Sequence, residues 1–199
     1  MIVKPFEHGL DIAPNDASRS KGLHMSDLYN DLYQDLEPER YIRGSLPAPA
    51  LLAIGLALEQ YTERLLLRAG IGAHRPGEFR TPDEHAIAFS PDLLILNGVM
   101  KGGEIKATFA SSKDLPTTTE RAFPEKFDKY VTQMKAYGHN LGIPDWILYG
   151  WFLKGKWEKH KSDQVVLADF RAFEFTFTAR EMLDEYKMLL NHGRSKGML

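Results

Sequence analysis

Apolar residues recur along the chain with two periods, one close to the turn of a helix and one close to the alternation of a strand. Leu23, Leu28, Tyr29, Leu32 and Leu36 predict a helix over 19–36, with Asp16-Ala17-Ser18 as its cap. Residues 1–17 show no period and contain Pro5, Gly9 and Pro14, an irregular lead-in. Glu37-Pro38 ends the first helix, a connector follows over 44–49, and Pro47 and Pro49 suit the opening turn of a second helix over 48–69. Leu51, Ile54, Leu58 and Leu65 run down one side of it, while Gly55, Glu59 and Glu63 share another. A glycine inside a helix costs about 0.5–1 kcal/mol relative to alanine, so Gly55 predicts a group lying close to the backbone.

After a turn-rich stretch over 70–77, Glu78-Phe79-Arg80 reads as a short strand. A β-hairpin is expected over 85–111, with Leu93-Leu94-Ile95-Leu96 buried on both faces. Residues 111–123 are polar, carry Pro116 and three consecutive threonines, and read as a loop beside a site, a candidate substrate flap. A third helix is expected over 124–141, with Phe127, Tyr130, Val131 and Met134 inward and Gln133 beside Tyr137 one turn on. An aromatic strand over 146–153, a strand over 165–176 and a last helix over 179–191 capped by Thr178 complete the pattern, followed by a polar, basic tail from Gly193. No repeat or long linker divides the chain, so the pattern predicts one α/β domain over 1–199.

Composition narrows the chemistry. With 199 residues, 43% hydrophobic and 26% charged, the chain is long enough for one well-buried core. Its formal charge of −2 places any nucleic-acid contact on a local basic surface rather than on bulk charge. There is no cysteine, which excludes disulfides, thiolate metal sites, iron–sulfur clusters and a cysteine nucleophile. No secretory leader and no apolar run near 18 residues is evident, so no membrane association and a cytoplasmic location (a host cytoplasm if phage-encoded) are the expectation.

The hairpin concentrates the charge. Asp92 follows Pro91 in its first half, and after eleven intervening residues Glu104-Ile105-Lys106 stands in its second. Side chains alternate along a strand, so Glu104 and Lys106 share a face and Ile105 points the other way. Buried acids beside a lysine need compensation. A hard divalent cation on one or two carboxylates supplies it and suits phosphodiester hydrolysis. Lys106 would then hold the attacking water or offset transition-state charge. Taken alone, Asp-x11-Glu-x-Lys is a short pattern. Glu59 reads from the helix pattern as a solvated acid, paired with Arg64 or unpaired.

These residues resemble the PD-(D/E)xK nucleases of restriction-endonuclease-like fold. Pro91-Asp92 matches the first element and Glu104-Ile105-Lys106 the second. Gly55-Leu-Ala-Leu-Glu59 resembles the Gly-x-x-x-Glu helix of the lambda-exonuclease-like branch, and Gln133-Met-Lys-Ala-Tyr137 the Gln-x-x-x-Tyr element of RecB-like nucleases. The matched order spans about 55–137, with a catalytic core over about 48–153.

The resemblance implies a central mixed β-sheet flanked by helices. It implies metal ligation by Glu59, Asp92, Glu104 and the Ile105 carbonyl, with Mg²⁺ as cofactor and Mn²⁺ as a substitute. Lys106 would be the catalytic lysine, and Gln133 and Tyr137 would line the site, although core packing accounts for Tyr137 equally well. A glutamate rather than a histidine at 59 leans to the lambda-exonuclease side. No role is carried over to His24.

By the same resemblance the chain is expected to be a DNA exonuclease acting on duplex ends in recombination or repair. A structure-selective or site-specific endonuclease, or a non-catalytic DNA-binding module, are the alternatives. Relatives that form oligomers and act beside a single-strand annealing protein make both candidate partners. Arg19, Lys21, Lys113, Lys126, Lys129, Lys135 and the 154–161 run with Trp157 and His160 are the candidate DNA contacts.

Overall fold

A computed structural model describes residues 20–41, 49–108, 113, 115, 123–154 and 166–199. The predicted lead-in, the Asp16 cap, most of the connector, nearly all of the 111–123 loop and the 155–165 turn lie outside these residues. In chain order the elements are α1 (Met25–Leu36), α2 (Pro49–Arg68), β1 (Gly72–His74), β2 (Phe79–Arg80), β3 (Ala88–Phe89), β4 (Leu93–Asn97) and β5 (Val99–Thr108). A 3₁₀ turn (Glu125–Phe127), α3 (Asp128–Leu141), β6 (Asp145–Lys154), β7 (Val166–Thr176) and α4 (Ala179–Ser195) follow.

Strands order β1-β4-β5-β6-β7 in one five-stranded sheet. Every neighbouring pair is antiparallel except β5 and β6. A parallel step needs a crossover, and α3 lies in it. The central mixed sheet flanked by helices that the sequence implied is therefore the arrangement found. On one face Met25 and Leu28 of α1, Met134 and Tyr137 of α3 and Leu189 of α4 close over Trp146 and Leu148. On the other, Leu66 of α2 packs with Leu93, Ile95, Ile105, Tyr149 and Trp151. β2 and β3 form a small separate ribbon. No described helix is long and apolar enough to cross a membrane.

Four expectations are corrected. The first helix begins at Met25, because His24 is extended and bridges to Ala88 of β3 instead of continuing a helix. The run 93–96 is not buried on both faces: Leu93 and Ile95 are buried under α2, but Leu96 is 59% exposed near the hairpin tip. Among the described residues a Cβ at Gly55 would meet nothing within 4 Å, so none of them crowds that turn of α2. The last helix runs on to Ser195, and the supposed polar tail turns back so that Met198 and Leu199 pack on the core. Gly193 permits this, since a Cβ there would sit 2.7 Å from Leu28.

Two other glycines set the distance between α3 and the sheet. Trp146 is fully buried and donates its indole N–H to the Ile143 carbonyl at 2.9 Å. A Cβ at Gly102 would lie 2.5 Å from its ring, and one at Gly138 2.8 Å from its Nε1. The indole thus fills a slot between β5 and α3 that only glycine leaves open. Gly102→Ala should lower stability by roughly 1–3 kcal/mol, the usual cost of overfilling a packed core. Denaturant unfolding will show this as an earlier midpoint at unchanged slope; an unchanged midpoint would mean the ring shifts freely.

Candidate active site

Hydrogen bonding at the end of β4 explains the Pro-Asp pair. The β4–β5 register ends at Leu93↔Gly103, and carrying it two residues further sets Pro91 opposite Ile105. Proline has no N–H. The Ile105 N–H, facing that side, is instead taken by the Asp92 side chain, which accepts through Oδ2 at 2.7 Å. A strand residue presents its N–H and C=O to the same side. Pro91 therefore has no donor to offer the Ile105 carbonyl in the ladder. Asp92 itself lies one residue before β4, not within it.

Glu104 and Lys106 emerge from the face of β5 toward α3, and Ile105 points the other way into the cluster under α2. Glu104 has no exposed surface. Its Oε1 accepts from Gln133 Nε2 at 2.7 Å and from the Lys106 ammonium, whereas its Oε2 is buried with no hydrogen-bond partner among the described residues. Lys106 Nζ also lies 3.8 Å from Asp92 Oδ2 and 5.7 Å from the centre of the Tyr130 ring. Burial, then the negative charge of Asp92, pushes the Glu104 carboxyl well above its ordinary range against the pull of Lys106. Burial works against the Lys106 charge as well, but Glu104 and Asp92 outweigh it and hold that ammonium well above the usual lysine value.

These groups open on a cleft of about 660 Å³, lined by Asp92, Lys106, Gln133 and Tyr137 and by Glu59 of α2 across from them. Glu59 is not a free surface acid. It pairs with Arg75, just past β1, at 2.8 Å, and burial followed by Asp92 raises its pKa despite that partner. Tyr137 is buried against Phe89, their rings 5.3 Å apart, and its hydroxyl meets that of Tyr29. Burial, then Tyr29 and Glu104, keep this hydroxyl protonated far above neutral pH.

Glu59, Asp92, Lys106, Gln133 and Tyr137 line one cleft, while Glu104 lies buried against Lys106 and Gln133 outside its lining, and the oxygens of Glu59, Asp92 and Glu104 do not converge within 4.8 Å of one another. Arg75 draws Glu59 aside, while Lys106 pairs with both of the other two. Their all-oxygen chemistry suits a hard divalent cation. Among the described residues one tighter trio exists, Asp31, Asp35 and His192, far from this chemistry in composition and outside the cleft lining. His192 already pairs with Asp31 at 2.8 Å and Lys196 with Asp35 at 2.6 Å.

Several lining residues were not foreseen. Tyr29 and Ser26 of α1, Arg75 and Glu78 all border the cleft. His24 does too, its Nε2 2.9 Å from the Ser20 carbonyl oxygen and its Nδ1 3.7 Å from Glu78. Of the basic residues considered for DNA contact, Lys135 pairs with Glu185 at 3.4 Å, Lys126 lies over Phe127, and Lys129 lies over Tyr41. Arg19 and the run from 155 to 161 fall outside the described residues.

No protein-family model matches the chain, and no curated protein matches it. Solved structures do. The phage related exonuclease from Haemophilus somnus aligns over 97% of this chain and 87% of its own at TM-score 0.53 and 13% identity. The alkaline exonuclease from Laribacter hongkongensis aligns over 90% and 91% at TM-score 0.50 and 16% identity. Its complex with dAMP aligns over 88% and 89% at TM-score 0.50 and 15% identity. At these identities the likeness establishes a shared fold.

Removing the lysine isolates the charge argument. Lys106→Met leaves Glu104 and Asp92 uncompensated, and metal-free protein should lose up to roughly 3–5 kcal/mol. Urea unfolding in EDTA measures it; a loss below about 1 kcal/mol would show that Lys106 does not stabilise the acids.

Proposed function

We propose that the protein is a Mg²⁺-dependent deoxyribonuclease that hydrolyses phosphodiester bonds, acting as an exonuclease on duplex ends. The observation that carries this reading is Glu104: a carboxylate with no exposed surface, one oxygen shared by Lys106 and Gln133 and the other without a partner. A buried oxygen with no donor is a strong acceptor awaiting a cation. Asp92 beside it, the Ile105 carbonyl, to which Pro91 can offer no N–H, and Glu59 on the facing helix complete a hard oxygen set. The fold shared with two solved exonucleases supports the same conclusion.

A Mg²⁺ held by these oxygens would supply Lewis-acid stabilisation of the phosphoryl oxygens and a more acidic water. The protein's own groups do the rest. Gln133 fixes the Glu104 carboxylate by its 2.7 Å amide bond to Oε1. Lys106, its charge secured by two acids, donates to the water or to the phosphoryl oxygen as negative charge builds there. Tyr137 and Tyr29 form an uncharged, hydroxyl-bearing wall against which a nucleotide can be positioned. If Glu59 served the cation, its partner Arg75 would be left to pair with substrate phosphate.

Digestion of linear and covalently closed circular duplex, each with Mg²⁺ and with EDTA, tests the reading. Linear DNA should be lost in Mg²⁺ only, with circles intact. Nicked circles would make the enzyme an endonuclease, and no Mg²⁺-dependent cleavage of either would overturn the nuclease assignment. Metal at ~100 times its dissociation constant should also stabilise the fold by roughly 2.7 kcal/mol. That is on the order of 5–10 °C in melting temperature for a chain of this size. Glu104→Gln should abolish both cleavage and the thermal shift; a shift that persists would place the cation elsewhere.

A further inference from the structure

Lys129 stands one helical turn before Gln133 on α3, so the two side chains leave the helix on the same side. Its ammonium lies 4.5 Å from the centre of the Tyr41 ring and 5.7 Å from that of Tyr29, and Tyr29 lines the cleft. Arg40 stacks on the same Tyr41 ring at 5.2 Å. The guanidinium is fixed in place, pairing with Glu37 at 3.0 Å and donating to the Lys126 carbonyl oxygen. One aromatic ring therefore serves two cations. Among the described residues no carboxylate pairs with Lys129, although Lys135 on the same helix has Glu185. Burial, and then the positive charges of Lys106 and Arg40, lower the Lys129 pKa to about 8. A half-buried ammonium crowded by cations is stabilised by an anion, and Tyr29, next to it, borders the cleft.

We infer that Lys129, with Arg40 across the Tyr41 ring, holds a backbone phosphate of the bound strand next to the phosphate being cleaved. The inference rests on the nuclease reading for the position of the strand. Phosphates recur about every 3.4 Å of axis along one strand, and a helical turn advances about 5.4 Å, so a strand seated at Lys106 and Gln133 brings a neighbouring phosphate within reach of Lys129. Tyr41 would keep the lysine stem directed and partly desolvated, which strengthens its attraction for the phosphate. Such a contact carries no sequence information and sets register along the strand.

The test is the salt dependence of DNA binding by the full chain carrying Glu104→Gln, with Mg²⁺ present, read by fluorescence anisotropy of a labelled duplex. Adding Lys129→Met should reduce the slope of log affinity against log salt by about one. Lys129→Arg should retain the slope. Lys187→Met, the same loss of charge on the exposed face of α4, should leave it unchanged. Melting temperatures identify any misfolded variant, and Lys129→Gln replaces the methionine variant if that one fails to fold. An unchanged slope in the folded Lys129 variant, a fall equal to that of Lys187→Met, or no binding of duplex by the parent would each overturn the clamp. A slope that falls by one while the unmodified protein cleaves nothing would keep the clamp and discard the nuclease reading. Normal Mg²⁺-dependent cleavage with an unchanged slope would do the reverse.

Discussion

A carboxylate with no exposed surface and a lysine two residues away on the same strand face are the constraint around which the rest of the structure is arranged. Two charges taken out of water stay folded only if their geometry and remaining hydrogen bonds compensate the lost hydration. Here the compensation is incomplete by one oxygen. Lys106 and Gln133 both engage Oε1 of Glu104, and Oε2 has no hydrogen-bond partner among the described residues. An arrangement of this kind is poor as a stabilising device and well suited to receiving a ligand. Groups held out of equilibrium with water are commonly the ones that do chemistry.

The surrounding architecture serves that pair. The parallel step from β5 to β6 carries α3 across the sheet face, where Gln133 can reach Glu104. Gly102 and Gly138 let the Trp146 indole settle between strand and helix, which sets the spacing that makes this amide bond 2.7 Å long. At the other end of the site, Pro91 removes one ladder donor and Asp92 replaces another partner, so the strand edge opens on the cleft instead of pairing further. Backbone geometry and side-chain chemistry thus meet at one residue, Ile105: its side chain anchors the core under α2 and its peptide group borders the site.

Much of this was legible in the sequence where the physics is local. Alternation along β5 put Glu104 and Lys106 on one face, and four-residue spacing put Gln133 beside Tyr137. What was not legible is non-local or atypical. β1 is three residues, Gly72–His74, too short to show a period, although it forms the edge against β4. Arg75 meets Glu59 across sixteen positions, and the helix pattern alone offered only Arg64 as a partner. Helix α1 starts after His24, a residue type that rarely caps, with Asp27 accepting from the His24 N–H. The apolar run 93–96 looked buried throughout because hydropathy cannot tell that Leu96, turned by alternation to the face opposite Leu93 and Ile95, is left exposed there.

The central claim is that a divalent cation belongs to the Glu104 cleft. Crystals of the full chain grown with Mn²⁺, with data collected at the manganese absorption edge, would locate the ion directly. The account predicts anomalous density between Glu104 Oε2 and Asp92, with Glu59 turned away from Arg75. Density confined to Asp31, Asp35 and His192, with the cleft empty of metal and Glu59 still paired to Arg75, would contradict it.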